Sequence, residues 1–232
     1  MERVRTAGGG SALTHLRSFE ITGTAEMADL KIRRSLRVIA RFPLLYRQEE
    51  ATPPGTKPPF NTAMGLEGDR GYLTGARLGG DGQSKDRDVV RRTYARAASQ
   101  AMAGFLAGIN APWLIDSGHY TATDGGTVTA GTDQGALILI LDGPDGRVGR
   151  LLIDPNTQLP RRLIQPPQAG GGGTAAVADI VFTYSDFQPQ GGLQLPHTIV
   201  RENGRNRTVW SIKQYTLNPR LAPGRFSQIQ RR

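Results

Sequence analysis

One segment of this chain follows a helical period, and nearly everything around it alternates. Between Asp86 and Ile109 the apolar residues Val90, Tyr94, Ala97, Ala101, Phe105 and Ile109 recur every three or four positions, with Arg87, Arg91, Arg92, Arg96 and Gln100 between them. That spacing lays an apolar stripe along one amphipathic helix, and Gly108, Asn110 and Pro112 supply its predicted stop. On both sides of it the period is two. In RSFEITGTAEM, residues 17–27, Phe19, Ile21, Gly23, Ala25 and Met27 share one face, while Ser18, Glu20, Thr22, Thr24 and Glu26 share the other. In IRRSLRVIAR, residues 32–41, Ile32, Leu36, Val38 and Ala40 face inward and Arg33, Ser35, Arg37 and Arg41 outward. Arg34 is the polar exception on the inner face and Ile39 the apolar one on the outer face. Both segments read as half-buried strands.

Further strands are expected at LLYRQE (44–49) and in a hairpin with its turn at Gly68-Asp69. After the helix come GTVTAG, GALILILDG, RVGRLLID, RRLIQP, DIVFTYSDF, LQLPHTIVREN and RTVWSIKQYTL. The last of these puts Trp210 and Ile212 on one face. Turns are expected at 143–146 and at Asn203-Gly204, irregular loops at 51–61 and at the Gly-rich stretch 166–179, and a short helix near Ser11 to Leu16. Thirty glycines and fifteen prolines fit such a turn-rich chain without reaching the composition of a disordered one. The expectation is an α+β chain: two runs of antiparallel strands, about ten in all, around one long helix.

The inventory of reactive side chains is thin. There is no cysteine, which removes disulfides, thiolate catalysis and thiolate-bound zinc. The three histidines, His15, His119 and His197, lie far apart and form no HExxH pair. No GxSxG occurs, so Ser84, Ser99 and Ser117 lack the context of a strained nucleophile. GGGSAL has the glycines of a phosphate loop but no preceding strand and no GK[ST] after it. DGPDG, residues 142–146, places Pro144 where a calcium loop needs a ligand. Asp154, Asp179 and Asp186 fall near strand ends with no pairing that spacing reveals. No catalytic set, cofactor motif or metal site emerges, and a non-enzymatic role is expected. A hydrolase would need His119 or His197 within reach of a serine or aspartate.

The formal charge is +9, carried mostly by arginine. The cations are distributed along strands and helix with no recognition helix, Cys/His finger or RNP-like aromatic run, so no specific nucleic-acid binding is expected. Two functions stay open on the residues alone. If the helix stripe seals the sheet incompletely, an apolar cavity remains between them. If it seals the sheet fully, the chain is an interaction or scaffold module with a filled core, whose basic strand faces, including Arg33, Arg37 and Arg41, meet an acidic partner or an anionic membrane.

Several stretches together resemble one family. GGGSALTHLRSFEITGTAEM looks like an opening in which a helix ends at Gly-Gly and leads into a first strand. LEGDRGYLTG, LLIDPNTQLPRRLI, VFTYSDFQPQGGLQLPHTIV and LNPRLAPGRFS look like later strands and the tail. This order resembles the LolA/LolB-like lipoprotein-carrier superfamily and its bacterial relatives. The resemblance implies a single half-barrel domain over 1–232, an incomplete antiparallel β-barrel covered by residues 86–109 as a lid. It also implies a non-enzymatic carrier or sensor that takes an acyl chain or lipoprotein, in the periplasm or otherwise outside the cytoplasm. The opening MERVRTAGGG lacks the apolar core of a secretory signal, so trimming, or a first helix that starts before Met1, is expected. Neither a lipobox cysteine nor a matched lipoprotein-contact residue carries over. The candidate lining residues, chosen for apolar character and predicted facing, are Phe19, Ile21, Leu36, Val38, Phe105, Trp113, Trp210 and Ile212.

Overall fold

A computed structural model describes residues 2–27, 32–43, 45–56, 61–75, 86–116, 118, 120–143, 146–167, 178–222 and 224–226, with the side chains of 110–116 outside that description. Two short helices, α1 (Glu2–Gly8) and α2 (Ser11–His15), precede a five-strand meander: β1 (Ser18–Met27), β2 (Ile32–Arg41), β3 (Leu45–Ala51), β4 (Asn61–Glu67) and β5 (Arg70–Thr74). The long helix α3 (Arg87–Asp116) follows. A second meander completes the order: β6 (Thr121–Thr127), β7 (Leu137–Gly143), β8 (Gly146–Ile153), β9 (Pro160–Gln165), β10 (Ile180–Gln190), β11 (Leu193–Asn203) and β12 (Asn206–Leu217).

All of these strands join one antiparallel sheet in the order β5-β4-β3-β2-β1-β12-β11-β10-β9-β8-β7-β6. Every neighbour is also a neighbour in sequence except β1 and β12, which meet in the middle, with Ile21 opposite Tyr215 and Ala25 opposite Trp210. Among the described residues the sheet therefore has twelve strands where the sequence reading expects about ten, and it is open, with β5 and β6 at its two edges. Flat, twelve strands at ~4.8 Å would span about 53 Å. One helix of 30 residues, about 45 Å long, links the edges while packing on β4, β5, β6, β8, β9 and β11, so the sheet curves around it.

Two boundaries differ from the sequence reading. The helix continues seven residues past Ile109, through Pro112, because Gly108 is a contact residue and not a terminator. A Cβ at Gly104 would lie 2.4 Å from the Phe182 ring, and one at Gly108 would lie 2.4 Å from Tyr184, so these two positions let β10 approach the helix. Gly71 plays the same part on β5, where a Cβ would come within 1.9 Å of the Ala95 backbone. Strand β6 sits at Thr121–Thr127, ahead of the expected GTVTAG, and Val128 then bonds across the loop to Ala136 (2.9 Å). The short helix expected near Ser11 to Leu16 is α2, and α1 precedes it across Gly9-Gly10. Most of the Gly-rich stretch 166–179, residues 57–60 of the 51–61 loop, residues 144–145 of the predicted turn, Ser84, Ser117 and His119 lie outside the described residues.

The core lies between the inner face and α3. Phe19, Ile21, Leu36, Val38, Phe105, Phe182 and Tyr215 are at most 2% exposed. Residues 102–109 are buried all round, with α1 and α2 also packed on α3. Arginines on the outer face are paired: Arg37 Nε donates to Glu20 Oε1 on the adjacent β1 at 2.6 Å, and Arg162 Nη1 to Asp133 Oδ2 in the loop between β6 and β7 at 2.6 Å. Among the described residues no helix is long and apolar enough to cross a membrane.

Candidate functional site

The alternation that puts Tyr46, Gln48 and Glu50 on one face of β3 aims all three at the concave side of the sheet. There they form a chain of hydrogen bonds. The Tyr46 hydroxyl donates to Gln48 Oε1 at 2.7 Å, and Gln48 Nε2 donates to Glu50 Oε1 at 2.8 Å. Arg34, the inward polar exception of β2, closes the chain with an ion pair from Nη1 to Glu50 Oε2 at 2.8 Å, at 6% and 10% side-chain exposure. Trp210 Nε1 donates to Glu50 Oε1 at 3.3 Å from the opposite side. Burial, and secondly the Glu50 carboxylate, push the Tyr46 phenol well above its ordinary range, so it stays a neutral donor.

These groups border a cavity of about 430 Å³ between α3 and the inner face, at the end of the sheet where β2, β3, β11 and β12 carry polar residues inward. Met27, Met64, Ala97, Ala101, Phe182 and Trp210 supply apolar wall. Trp210 anchors that wall. Its ring stacks on Phe105 with centroids 4.6 Å apart and 29° between planes, and lies 6.1 Å from Phe182. The polar share of the lining includes Arg34, Glu50, Gln100, Gln165, Arg201 and Thr208. Gln165 is fully buried. Its Nε2 donates to the Gln100 carbonyl at 3.1 Å, while its Oε1 has no partner among the described residues.

Of the eight residues singled out from sequence, Trp210 lines this cavity. Phe105 stands directly behind it, packed on Trp210 and 6.4 Å from the Tyr46 ring. Phe19, Ile21, Leu36, Val38 and Ile212 share the same inner face but are packed into the core beyond the cavity. Trp113 lies in the last turns of α3, where side chains are outside the description. The sequence reading missed Glu50, Arg201 and Gln165. The signal available for them was a polar residue on the apolar side of an alternating strand, noticed only at Arg34.

Among the described residues, His15 and His197 form no catalytic arrangement. His197 holds its Nδ1 3.1 Å from the Ile212 carbonyl and meets the Tyr215 ring edge-on at 5.5 Å, a packed strand position. His15 is exposed, and its backbone carbonyl accepts from Asn218 Nδ2 at 3.0 Å. Among the described residues no cluster of His, Asp or Glu could hold a metal ion.

The sequence matches no family model and no curated protein significantly. Solved structures do match in shape. A LolA superfamily protein from Nitrosomonas europaea aligns over 95% of this chain and 98% of its own at a TM-score of 0.55 and 14% identity. A domain described as an outer membrane lipoprotein-sorting protein, from Vibrio parahaemolyticus, aligns over 97% and 93% at a TM-score of 0.54 and 11% identity. An open antiparallel sheet curved around one long helix, matched over nearly the whole of both chains, gives this protein the LolA-like fold.

Proposed function

We propose that the protein is a non-enzymatic carrier or sensor that holds an acyl chain, free or as part of a lipoprotein, in the cavity between α3 and the inner face of the sheet, outside the cytoplasm. The observation that carries this reading is the cavity itself, about 430 Å³ with an apolar wall of Met27, Met64, Phe182 and Trp210. That volume falls within the ~300–1,000 Å³ of small-molecule sites. The fold shared with a lipoprotein-sorting domain supports the same class of cargo. Ten buried methylenes at ~0.8 kcal/mol each contribute roughly 8 kcal/mol gross, against an association cost of ~4–15 kcal/mol. Net binding is then weak enough for the chain to be handed on. Phe105 supports the wall from behind, and Phe19, Ile21, Leu36, Val38 and Ile212 join the lining when α3 lifts from the sheet.

Native mass spectrometry of protein purified from a bacterial host tests the reading. The expected result is a stoichiometric adduct that solvent extraction identifies as acyl-bearing. A clean unliganded mass, together with no uptake of an added fluorescent fatty acid, overturns it.

A further inference from the structure

The polar side of the cavity carries more positive than negative charge. Two guanidiniums, Arg34 and Arg201, and one carboxylate, Glu50, are among its lining residues. Glu50 is committed: it receives the ion pair from Arg34 and hydrogen bonds from Gln48 and Trp210. Arg201 is half-buried, and its side chain makes no hydrogen bond or ion pair among the described residues. Burial pulls its pKa below the usual range, with Glu50 and Tyr46 opposing that pull through space. A half-buried guanidinium with five donors and no partner among the described residues is costly unless it meets an acceptor. On the sheet Arg201 stands opposite both Thr208 and Phe182, so it lies between polar lining and apolar wall.

We propose that the cavity takes a single-chain amphiphile with an anionic head, a carboxylate or a phosphate monoester, whose head pairs with Arg201 while its tail lies along Met64, Phe182 and Trp210. This deepens the acyl-chain reading and rests on it. At ~30 Å³ for each water-sized unit, 430 Å³ holds about 14 non-hydrogen atoms, the size of one twelve-carbon chain with its head. The planar guanidinium suits a two-oxygen head because it donates two parallel hydrogen bonds. A cationic head would meet a net positive lining, and an uncharged alcohol would leave the Arg201 charge unanswered.

Dodecanoate, dodecyl phosphate, dodecanol and dodecyltrimethylammonium, titrated into the whole protein with tryptophan emission as readout, test the proposal, with inorganic phosphate as a head-only control. Dodecanoate or dodecyl phosphate is expected to bind at least tenfold tighter than dodecanol, and the tighter of the two identifies the head. In Arg201→Gln that preference is expected to fall below threefold, while Arg201→Lys keeps part of it; circular dichroism confirms that both are folded. Should Arg201→Gln not fold, the wild-type series decides alone. Equal affinity for dodecanoate and dodecanol overturns the anionic head and leaves the acyl-chain reading standing. Inorganic phosphate binding as tightly as dodecyl phosphate overturns the amphiphile. Failure of all four chains to bind removes the acyl-chain reading itself.

Discussion

Replacing Glu50 with glutamine removes the one carboxylate found among the described residues of the cavity lining while keeping the side chain's size and one acceptor oxygen. Its effects on stability and on binding have opposite signs. Glu50 is the acceptor for Arg34 at 2.8 Å, Gln48 at 2.8 Å and Trp210 at 3.3 Å, and the pair with Arg34 is about nine-tenths buried on both sides. Breaking such a pair from one side strands the other charge, which typically costs ~3–5 kcal/mol. A domain with ~5–15 kcal/mol of stability survives that loss with its denaturation midpoint clearly lowered. The same change removes a negative charge from the place where an anionic head would sit. Two like charges ~8 Å apart repel by roughly 2 kcal/mol at an effective dielectric of ~20, so affinity for dodecanoate should rise at least tenfold. Urea unfolding followed by far-ultraviolet circular dichroism measures the first effect, and fatty-acid titration of the folded variant measures the second. A midpoint within error of wild type, or an affinity for dodecanoate that falls, refutes the charge reasoning.

Alkaline titration and one helix substitution probe the packing. Tyr46, Tyr184 and Tyr215 are buried, and burial raises each phenol above its ordinary pKa near 10. The unfolded chain therefore loses those protons first, so their contribution to stability is complete below about pH 10 and declines above it by up to ~1.4 kcal/mol per pH unit for each phenol. Tyrosinate absorbance should show at least three of the six tyrosines ionising only as the fold is lost, and free titration of all six near pH 10 would contradict their burial. Gly104→Ala in an ordinary helix interior would gain ~1 kcal/mol. Here the new Cβ would meet the Phe182 ring at 2.4 Å, and thermal unfolding should show a net loss of ~1–3 kcal/mol. A raised melting temperature would show that α3 does not lie this close to β10.

Alternation along β1 and β2 was enough to sort their faces, including the inward placement of Arg34, because a period of two assigns each side chain to a side without knowledge of the neighbours. What stood opposite Arg34 was not legible. Glu50 reaches it only through the β2 to β3 register, and Arg201 comes to the same cavity across the junction of β1 with β12, a contact between residues separated by most of the chain. The end of α3 was misplaced for a related reason. Gly108 reads as a breaker when the helix is considered alone and as a necessity once Tyr184, whose hydroxyl donates to the Gly104 carbonyl at 2.6 Å, lies against it. The eight apolar candidates were chosen by facing, and facing does not distinguish a packed interior such as Phe19 and Val38 from a wall beside open space such as Trp210.

The junction of β1 with β12 also governs the order in which the molecule can be assembled. The first meander emerges from the ribosome complete, yet its β1 edge stays unpaired until β12, the last strand, has been made. Asn218 then secures the junction, its Oδ1 accepting from the backbone of Arg17 at 2.7 Å and Ser18 at 3.2 Å. Joining strands from the two ends of a sequence carries a large loop-closure entropy and slows folding. For the whole time of synthesis β1 is an exposed strand edge, the kind of surface on which chains pair with one another. The five arginines of β2 and β3, Arg33, Arg34, Arg37, Arg41 and Arg47, are nearly balanced by Glu20 and Glu26 on β1 and Glu49 and Glu50 on β3, so net charge gives that waiting edge little protection until its own last strand arrives.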